Sequence, residues 1–98
     1  MWRYAPIMGI KEDHIDEMLR VGWTPLYRAR RLEKELGVKE LYVKDDGLNP
    51  SGSSKDRASG VAVLKAVEAG AKTIACSSTG NAASSCACQA AHMGLNAV

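Results

Sequence analysis

The segment at residues 49–57, Asn-Pro-Ser-Gly-Ser-Ser-Lys-Asp-Arg, constrains the fold of this chain more than any other. An apolar, strand-like run at residues 41–44 precedes it, and a helix-like run at residues 57–69 follows it. Pro50 and Gly52 interrupt regular structure, and Gly52 allows the backbone to approach a ligand closely. The segment is therefore predicted to be a loop that leads from a strand into a helix.

Lys55 is the candidate reactive residue of this loop. With Ser53 as the predicted N-cap, Lys55 lies in the first helical turn, where the positive end of the helix dipole disfavours a cation. That field, together with burial, favours the neutral amine, the nucleophilic form of lysine that bonds covalently to carbonyl compounds. The local chemistry by itself also allows, and favours, a solvated lysine in a polar loop.

A second segment at residues 76–81, Cys-Ser-Ser-Thr-Gly-Asn, repeats the plan of strand, hydroxyl-rich loop and helix. Hydroxyls and backbone N–H groups at the start of a helix make a ready anion-binding site. The carboxyl ends of neighbouring parallel strands meet at one edge of a sheet, where ligands bind in α/β proteins. If the strands before the two loops are neighbours, Lys55 and Asn81 can reach one ligand.

The order of predicted elements indicates an α/β fold with a parallel-sheet βαβαβ unit. Its elements are strand 41–44, helix 57–69, strand 73–76, helix 82–93 and a strand that begins within residues 95–98. Earlier in the chain, helices are predicted at residues 11–20 and 29–36, the second ending at Gly37. We therefore expect an irregular and helical lead at residues 1–37 and an α/β segment at residues 38–98.

Three motifs resemble those of the fold-type II family of pyridoxal-phosphate (PLP) enzymes. Residues 22–26, Gly-Trp-Thr-Pro-Leu, match an early motif of that family, and residues 49–57 match its lysine motif. Residues 76–81 match its asparagine loop, in the form most similar to that of threonine synthases. Three motifs in order are far more specific than one. The resemblance covers residues 20–98 and implies a truncated α/β fold of the tryptophan synthase β-like type.

The resemblance also implies PLP as the cofactor and a role for each site residue. Lys55 would bind PLP covalently and then act as the catalytic base that moves protons. Asn81 would hydrogen-bond the ring hydroxyl of PLP. Ser78, Thr79 and Gly80 would hold the carboxylate of an amino-acid substrate. The remaining cofactor contacts of the family are expected downstream of this chain.

The form of the asparagine loop implies a carbon–oxygen lyase that converts O-phospho-L-homoserine and water to L-threonine and phosphate. Ser54 and Ala82 depart from the family pattern, in which an apolar residue and a threonine are common at these positions. Two alternatives stay open: another fold-type II enzyme, either a cysteine synthase or a serine/threonine dehydratase, and a non-catalytic fragment. A P-loop NTPase is disfavoured because Ser53 occupies the position that requires lysine.

Length and charge limit the possible functions. The 98 residues make at most one small domain. We expect an N-terminal fragment of a longer enzyme, inactive alone because the loop that grips the PLP phosphate should lie downstream. The net charge of +2 is too small to indicate a nucleic-acid partner. Polar residues interrupt the uncharged stretch after Lys72, which argues against a membrane span.

The cysteines and the N-terminal region indicate the compartment. The three cysteines have no zinc-type spacing and are predicted to be free thiols, without a metal, in a reducing environment. Residues 1–20 lack the continuous apolar run of a signal peptide. We therefore expect a cytoplasmic protein that acts on a small molecule, with a homodimer as the full-length state.

Overall fold

The computed structural model describes residues 1–98 and contains four α-helices and four short strands. The helices are α1 Ala5–Met8, α2 Arg30–Leu36, α3 Asp56–Glu68 and α4 Asn81–His92. The strands are β1 Leu26–Arg28, β2 Tyr42–Lys44, β3 Thr73–Ile74 and β4 Asn96–Ala97. Turns of 3₁₀ helix lie at Trp2–Tyr4, Ile15–Glu17 and Asp46–Leu48. None of the helices has the length and apolarity needed to cross a membrane.

The strands form two separate two-stranded sheets. In the first, β1 and β2 are antiparallel, with Leu26 opposite Lys44 and Arg28 opposite Tyr42. In the second, β3 and β4 are parallel, with Thr73 opposite Asn96. Because α4 connects these parallel strands, β3, α4 and β4 make one βαβ unit of the predicted kind.

The structure differs from the predicted βαβαβ unit at β2. That strand pairs with β1, and it makes no pairing with β3. Only residues 29–41 separate β1 from β2, whereas residues 45–72 separate β2 from β3. Closing the shorter loop costs less chain entropy, so the local antiparallel pairing is favoured within this chain.

The lead is more ordered at its start and less helical afterwards than the sequence predicted. Residues 1–9 form two short helical elements, and α1 ends at Gly9, whose positive φ of 62° suits glycine. The predicted helix at residues 11–20 is wrong, since only Ile15–Glu17 forms a 3₁₀ turn. Contacts outside the segment hold it instead: Met18 is buried in the core, and the Lys11 backbone N–H donates to the Glu68 carboxylate at 2.7 Å, at the end of α3.

The hydrophobic core joins α3, α4 and the lead. Its buried members are Ala5, Ile10, Met18, Val63, Leu64 and Ala90. Gly60 in α3 lets the lead approach closely, because a Cβ there would lie 3.2 Å from the Trp2 ring. The helices predicted at residues 29–36, 57–69 and 82–93 are confirmed within about one residue at each end, including the end of α2 at Gly37 in the left-handed region.

The β1–α2–β2 region extends away from this core. Large apolar side chains that are exposed on it are Leu26, Tyr27, Leu32, Leu36, Tyr42 and Val43. The radius of gyration is 16.2 Å, whereas a compact chain of this length has about 13 Å. The core therefore lies at one end of the molecule, around the C-terminal halves of α3 and α4.

Candidate active site

The segment at residues 45–55, here called the lysine loop, is anchored at its start by Asp46. The Arg57 guanidinium donates two hydrogen bonds to the Asp46 carboxylate, both at 2.8 Å. The Thr24 hydroxyl donates a third, at 2.7 Å. The guanidinium and the hydroxyl hold the pKa of Asp46 far below its usual range, and the same ion pair raises the pKa of Arg57. Both groups therefore stay charged near neutral pH.

The Gly-x-Thr-Pro-Leu motif at residues 22–26 contacts the same loop. Besides the Thr24 contact, the Gly22 N–H donates to the Asn49 side chain at 2.9 Å. The Asn49 amide in turn donates to the Asp46 backbone carbonyl at 2.9 Å. Asn49 is buried, so these bonds satisfy an amide that would otherwise be expensive to bury. Two of the three sequence motifs are thus joined in space by hydrogen bonds.

Asp56 fixes the other end of the lysine loop. Its carboxyl group is fully buried and accepts hydrogen bonds from the Ser51 backbone N–H at 2.7 Å and from the Ser51 hydroxyl at 2.6 Å. The Ser85 hydroxyl of α4 donates to the same carboxyl group. This one residue therefore closes the loop on itself and ties the start of α3 to α4.

Lys55 lies at the start of α3, but it is the N-cap residue itself, so the prediction of Ser53 as the N-cap with Lys55 inside the first turn is wrong. Its backbone N–H donates to the buried Ser53 hydroxyl at 3.1 Å. Its side chain is exposed, and its amine takes part in no hydrogen bond or ion pair of the chain. The burial predicted for the Lys55 side chain is therefore absent. Its backbone, in contrast, is held by the bond to Ser53.

Residues 77–81, here called the asparagine loop, follow β3 and lead into α4. Asn81 is the first residue of α4, and all five residues are exposed. One side-chain hydrogen bond organises the loop, from the Gly80 N–H to the Ser78 hydroxyl at 3.2 Å. The predicted substrate-binding residues Ser78, Thr79 and Gly80 therefore lie on an open surface at a helix start.

The helices that follow the two loops are in contact near their starts. Ser85 lies one helical turn after Asn81, and Asp56 directly follows Lys55, so the bond between Ser85 and Asp56 brings the two helix starts together. The reasoning from a shared sheet edge was wrong, because β2 and β3 lie in different sheets. Packing of α3 on α4, and not a shared sheet, brings the two helix starts together.

Sequence reasoning missed the residues that build this arrangement. Asp56 and Arg57 were part of the lysine motif, and Asp56 was considered only as a weak capping partner of Ser53, so the anchoring role of neither residue was predicted. A carboxylate followed by an arginine at the start of a helix is a usable signal for loop anchoring, since both are seldom buried without partners. Ser85 had no signal, because it is one of several small residues along α4.

Comparison with known proteins identifies the family. Residues 18–98 match the family described as pyridoxal-phosphate dependent enzyme. The chain belongs to this family of PLP-dependent enzymes. The matched region contains the early motif, the lysine loop and the asparagine loop, so the resemblance found in the sequence is confirmed.

Curated relatives within this PLP-dependent family share the whole length of the chain. A threonine synthase of Methanocaldococcus jannaschii is 46% identical over 98 residues, and one of Methanosarcina acetivorans is 42% identical over 98 residues. Each match covers 100% of this chain and 24% of the relative. A threonine synthase of Synechocystis is 42% identical over 95 residues, which are 96% of this chain and 25% of that protein. The chain thus spans about a quarter of the length of these relatives.

Proposed function

We propose that this chain forms part of a PLP-dependent threonine synthase, which converts O-phospho-L-homoserine and water to L-threonine and phosphate. The observation that carries the proposal is the agreement of relatives from archaea and bacteria, all threonine synthases, at 42–46% identity over almost the entire chain. Because the chain spans about a quarter of those proteins, the 98 residues alone are expected to be inactive.

Lys55 is the proposed attachment point for PLP and the proposed catalytic base. Its free, exposed amine beside a rigid backbone supports this role, since a nucleophile must be both available and positioned. When bound, PLP supplies the electron sink. The Lys55 amine then moves protons to and from the substrate carbons. The lysine loop keeps its backbone still while the side chain moves.

The asparagine loop is the proposed contact for the cofactor ring and the substrate. Asn81 offers an exposed amide for the ring hydroxyl of PLP. Ser78, Thr79 and Gly80 offer hydroxyls and N–H groups at the start of α4, where the helix dipole favours a substrate carboxylate. These groups fit an anionic amino acid bound over PLP, and the bond between Ser85 and Asp56 supports their closeness to Lys55.

We also propose that the fold-type II parallel sheet includes the β3–α4–β4 unit within residues 38–98. Its two strands are parallel and short, and their free edges are available to further strands. A cytoplasmic homodimer that binds no nucleic acid is the proposed full-length state. The free cysteines suit a reducing compartment, and the exposed apolar side chains of the β1–α2–β2 region suit packing against more protein.

Substrate comparison tests this function directly. The full-length protein is incubated with PLP and with either O-phosphohomoserine or O-acetylserine plus sulfide, and threonine, phosphate and cysteine are quantified. We expect threonine and an equal amount of phosphate from O-phosphohomoserine only. Cysteine formation without threonine would assign the protein to the cysteine synthases instead. The Lys55→Ala variant serves as the inactive control.

A further inference from the structure

Two of the three cysteines meet beside the asparagine loop. Cys76 lies two residues after β3, immediately before that loop, and Cys86 lies on α4. Both line a shallow pocket of about 150 Å³, together with Ser78 and small apolar side chains. Cys88 does not line it, because residues two apart on a helix point to different faces.

The two thiols line the same pocket but differ in burial. Burial, and secondarily the neighbouring Cys76, raises the pKa of the Cys86 thiol. A raised pKa lowers the fraction of thiolate, which is the form that attacks a disulfide. Cys76 is half-buried and faces the pocket, whereas Cys86 is only 6% exposed. Cys76 is therefore the thiol that an external reagent meets first.

We propose that Cys76 and Cys86 form a reversible dithiol–disulfide pair that ties the asparagine loop to α4. The proposed reaction uses no thiol, so the pair would act on the asparagine loop and not as a catalytic group. That such a bond changes ligand binding rests on the proposed function, whereas the formation of the bond does not.

A small-molecule disulfide is the oxidant in this scheme. The Cys76 thiolate attacks one of its sulfur atoms, which forms a mixed disulfide on Cys76 and releases one reduced thiol. The Cys86 thiol, after losing its proton to solvent, attacks the Cys76 sulfur of the mixed disulfide and releases the second reduced thiol. The two protein thiols are oxidised to one disulfide, and the external disulfide is reduced to two thiols.

The bond would restrict the open loop. In the reduced chain, one side-chain hydrogen bond, between Gly80 and Ser78, organises residues 77–81. A covalent link from Cys76 to α4 fixes the residue before this loop to the helix that follows it. Backbone amides of residues 77–81 should then exchange hydrogen with solvent more slowly in the oxidised protein.

Differential alkylation of the full-length protein tests the pair. The protein is treated with oxidised glutathione, its free thiols are blocked with a light alkylating reagent, and the disulfides are then reduced and labelled with a heavy one. Trypsin leaves all three cysteines in one peptide that begins at Thr73, because no lysine or arginine follows within the chain. Fragmentation of that peptide should place the heavy label on Cys76 and Cys86 and the light label on Cys88.

Matched variants make the order of attack testable. Cys86→Ser should stop at glutathione on Cys76, Cys76→Ser should form no internal disulfide, and Cys88→Ser should oxidise like the unaltered protein. A heavy label on Cys88, or light labels on both Cys76 and Cys86 of the unaltered protein, would overturn the proposal. Unchanged hydrogen exchange in residues 77–81 after oxidation would overturn the restriction of the loop. All these readouts are independent of enzyme activity, so failure of the proposed function would leave them interpretable.

Discussion

The lysine loop and the asparagine loop lie at neighbouring helix starts but are built in opposite ways. The lysine loop is held by buried polar residues, with Asn49, Ser53 and Asp56 each hydrogen-bonded within the chain. The asparagine loop is exposed throughout and has one internal side-chain hydrogen bond, between Gly80 and Ser78. The chain therefore fixes one side of the candidate site and leaves the other side open.

This difference follows from what each loop has to satisfy. The lysine loop buries carboxyl and amide groups, and buried polar groups destabilise a fold unless they are paired. The asparagine loop keeps its polar groups in water, so little is lost when internal partners are few. Internal hydrogen bonds therefore position the lysine loop, whereas the polar groups of the asparagine loop stay available to other partners.

The largest expected effect comes from removing the anchor of the lysine loop. Asp56→Ala takes away the acceptor of three hydrogen bonds and leaves the buried Ser85 hydroxyl without its partner, so it should lower the free energy of unfolding by about 3 kcal/mol. Urea unfolding measures this. Asp45→Ala, which removes one bond to the Gly47 N–H, is the control and should lower it by about 1 kcal/mol or less. Equal losses would mean that Asp56 is not the anchor.

A loss of stability at low pH should be the next largest effect, smaller than that of Asp56→Ala. Because the pKa of Asp46 is lower in the folded chain than in the unfolded one, its contribution to stability is fully present above about pH 5 and declines as pH falls through and below about 4. Asp46→Asn should remove this decline. The free energies of unfolding of the unaltered protein and of Asp46→Asn should therefore become more similar in acid. Unfolding curves at several pH values test this. Asp16→Asn, at an exposed position without a hydrogen bond, should keep the decline.

Asn81→Ala should affect the ligand and not the fold. The loss of one hydrogen bond to PLP is worth about 0.5–1.5 kcal/mol, which corresponds to weaker cofactor binding by about 2- to 13-fold. The absorption of the bound cofactor and the turnover rate should change as well. Titration of the full-length protein with PLP measures the affinity. Asn96→Ala, at an exposed position on β4, is the control and should leave the PLP affinity and the spectrum unaltered. If Asn81→Ala also leaves both unaltered, Asn81 begins α4 and does not contact the cofactor.

The smallest expected effects come from removing equivalent hydrogen bonds in the two loops. The hydroxyls of Ser53 and Ser78 each accept a hydrogen bond from the backbone N–H two residues later, at 3.1 Å and 3.2 Å. Ser53→Ala should destabilise the fold by about 1 kcal/mol because Ser53 is buried and its bond is partly shielded from water. Ser78→Ala should destabilise by less than about 0.5 kcal/mol, since water can replace an exposed partner. A larger loss at Ser78 would contradict the contrast between the loops.

Much of the fold could be predicted because local signals determine it. Glycines at helix ends and apolar spacing along α3 place the helices correctly within about a residue, and the three motifs identify the family. The pairing of β2 could not be predicted, because three-residue strands carry no information on their partner. The helix expected at residues 11–20 failed because contacts with α3 override a weak apolar pattern.

The candidate site was predictable in its residues but not in its construction. Lys55 and Asn81 stand out by motif, whereas the ion pair of Asp46 with Arg57 joins residues that are eleven apart and depends on how the chain turns between them. The contact of Ser85 with Asp56 depends on how α3 packs on α4. Long-range hydrogen bonds of this kind leave no local pattern in one sequence. The roles of Lys55, Asn81, Ser78, Thr79 and Gly80 stay predictions.

Reductive trapping tests the central claim that Lys55 carries the cofactor. The full-length protein is loaded with PLP and reduced with borohydride, and the labelled peptide is identified by mass spectrometry. The account predicts the label on Lys55, with no label at that position in Lys55→Ala and undiminished labelling in Lys34→Ala, a control at another exposed lysine. Selective labelling of any other lysine, with Lys55 unmodified, would contradict the account.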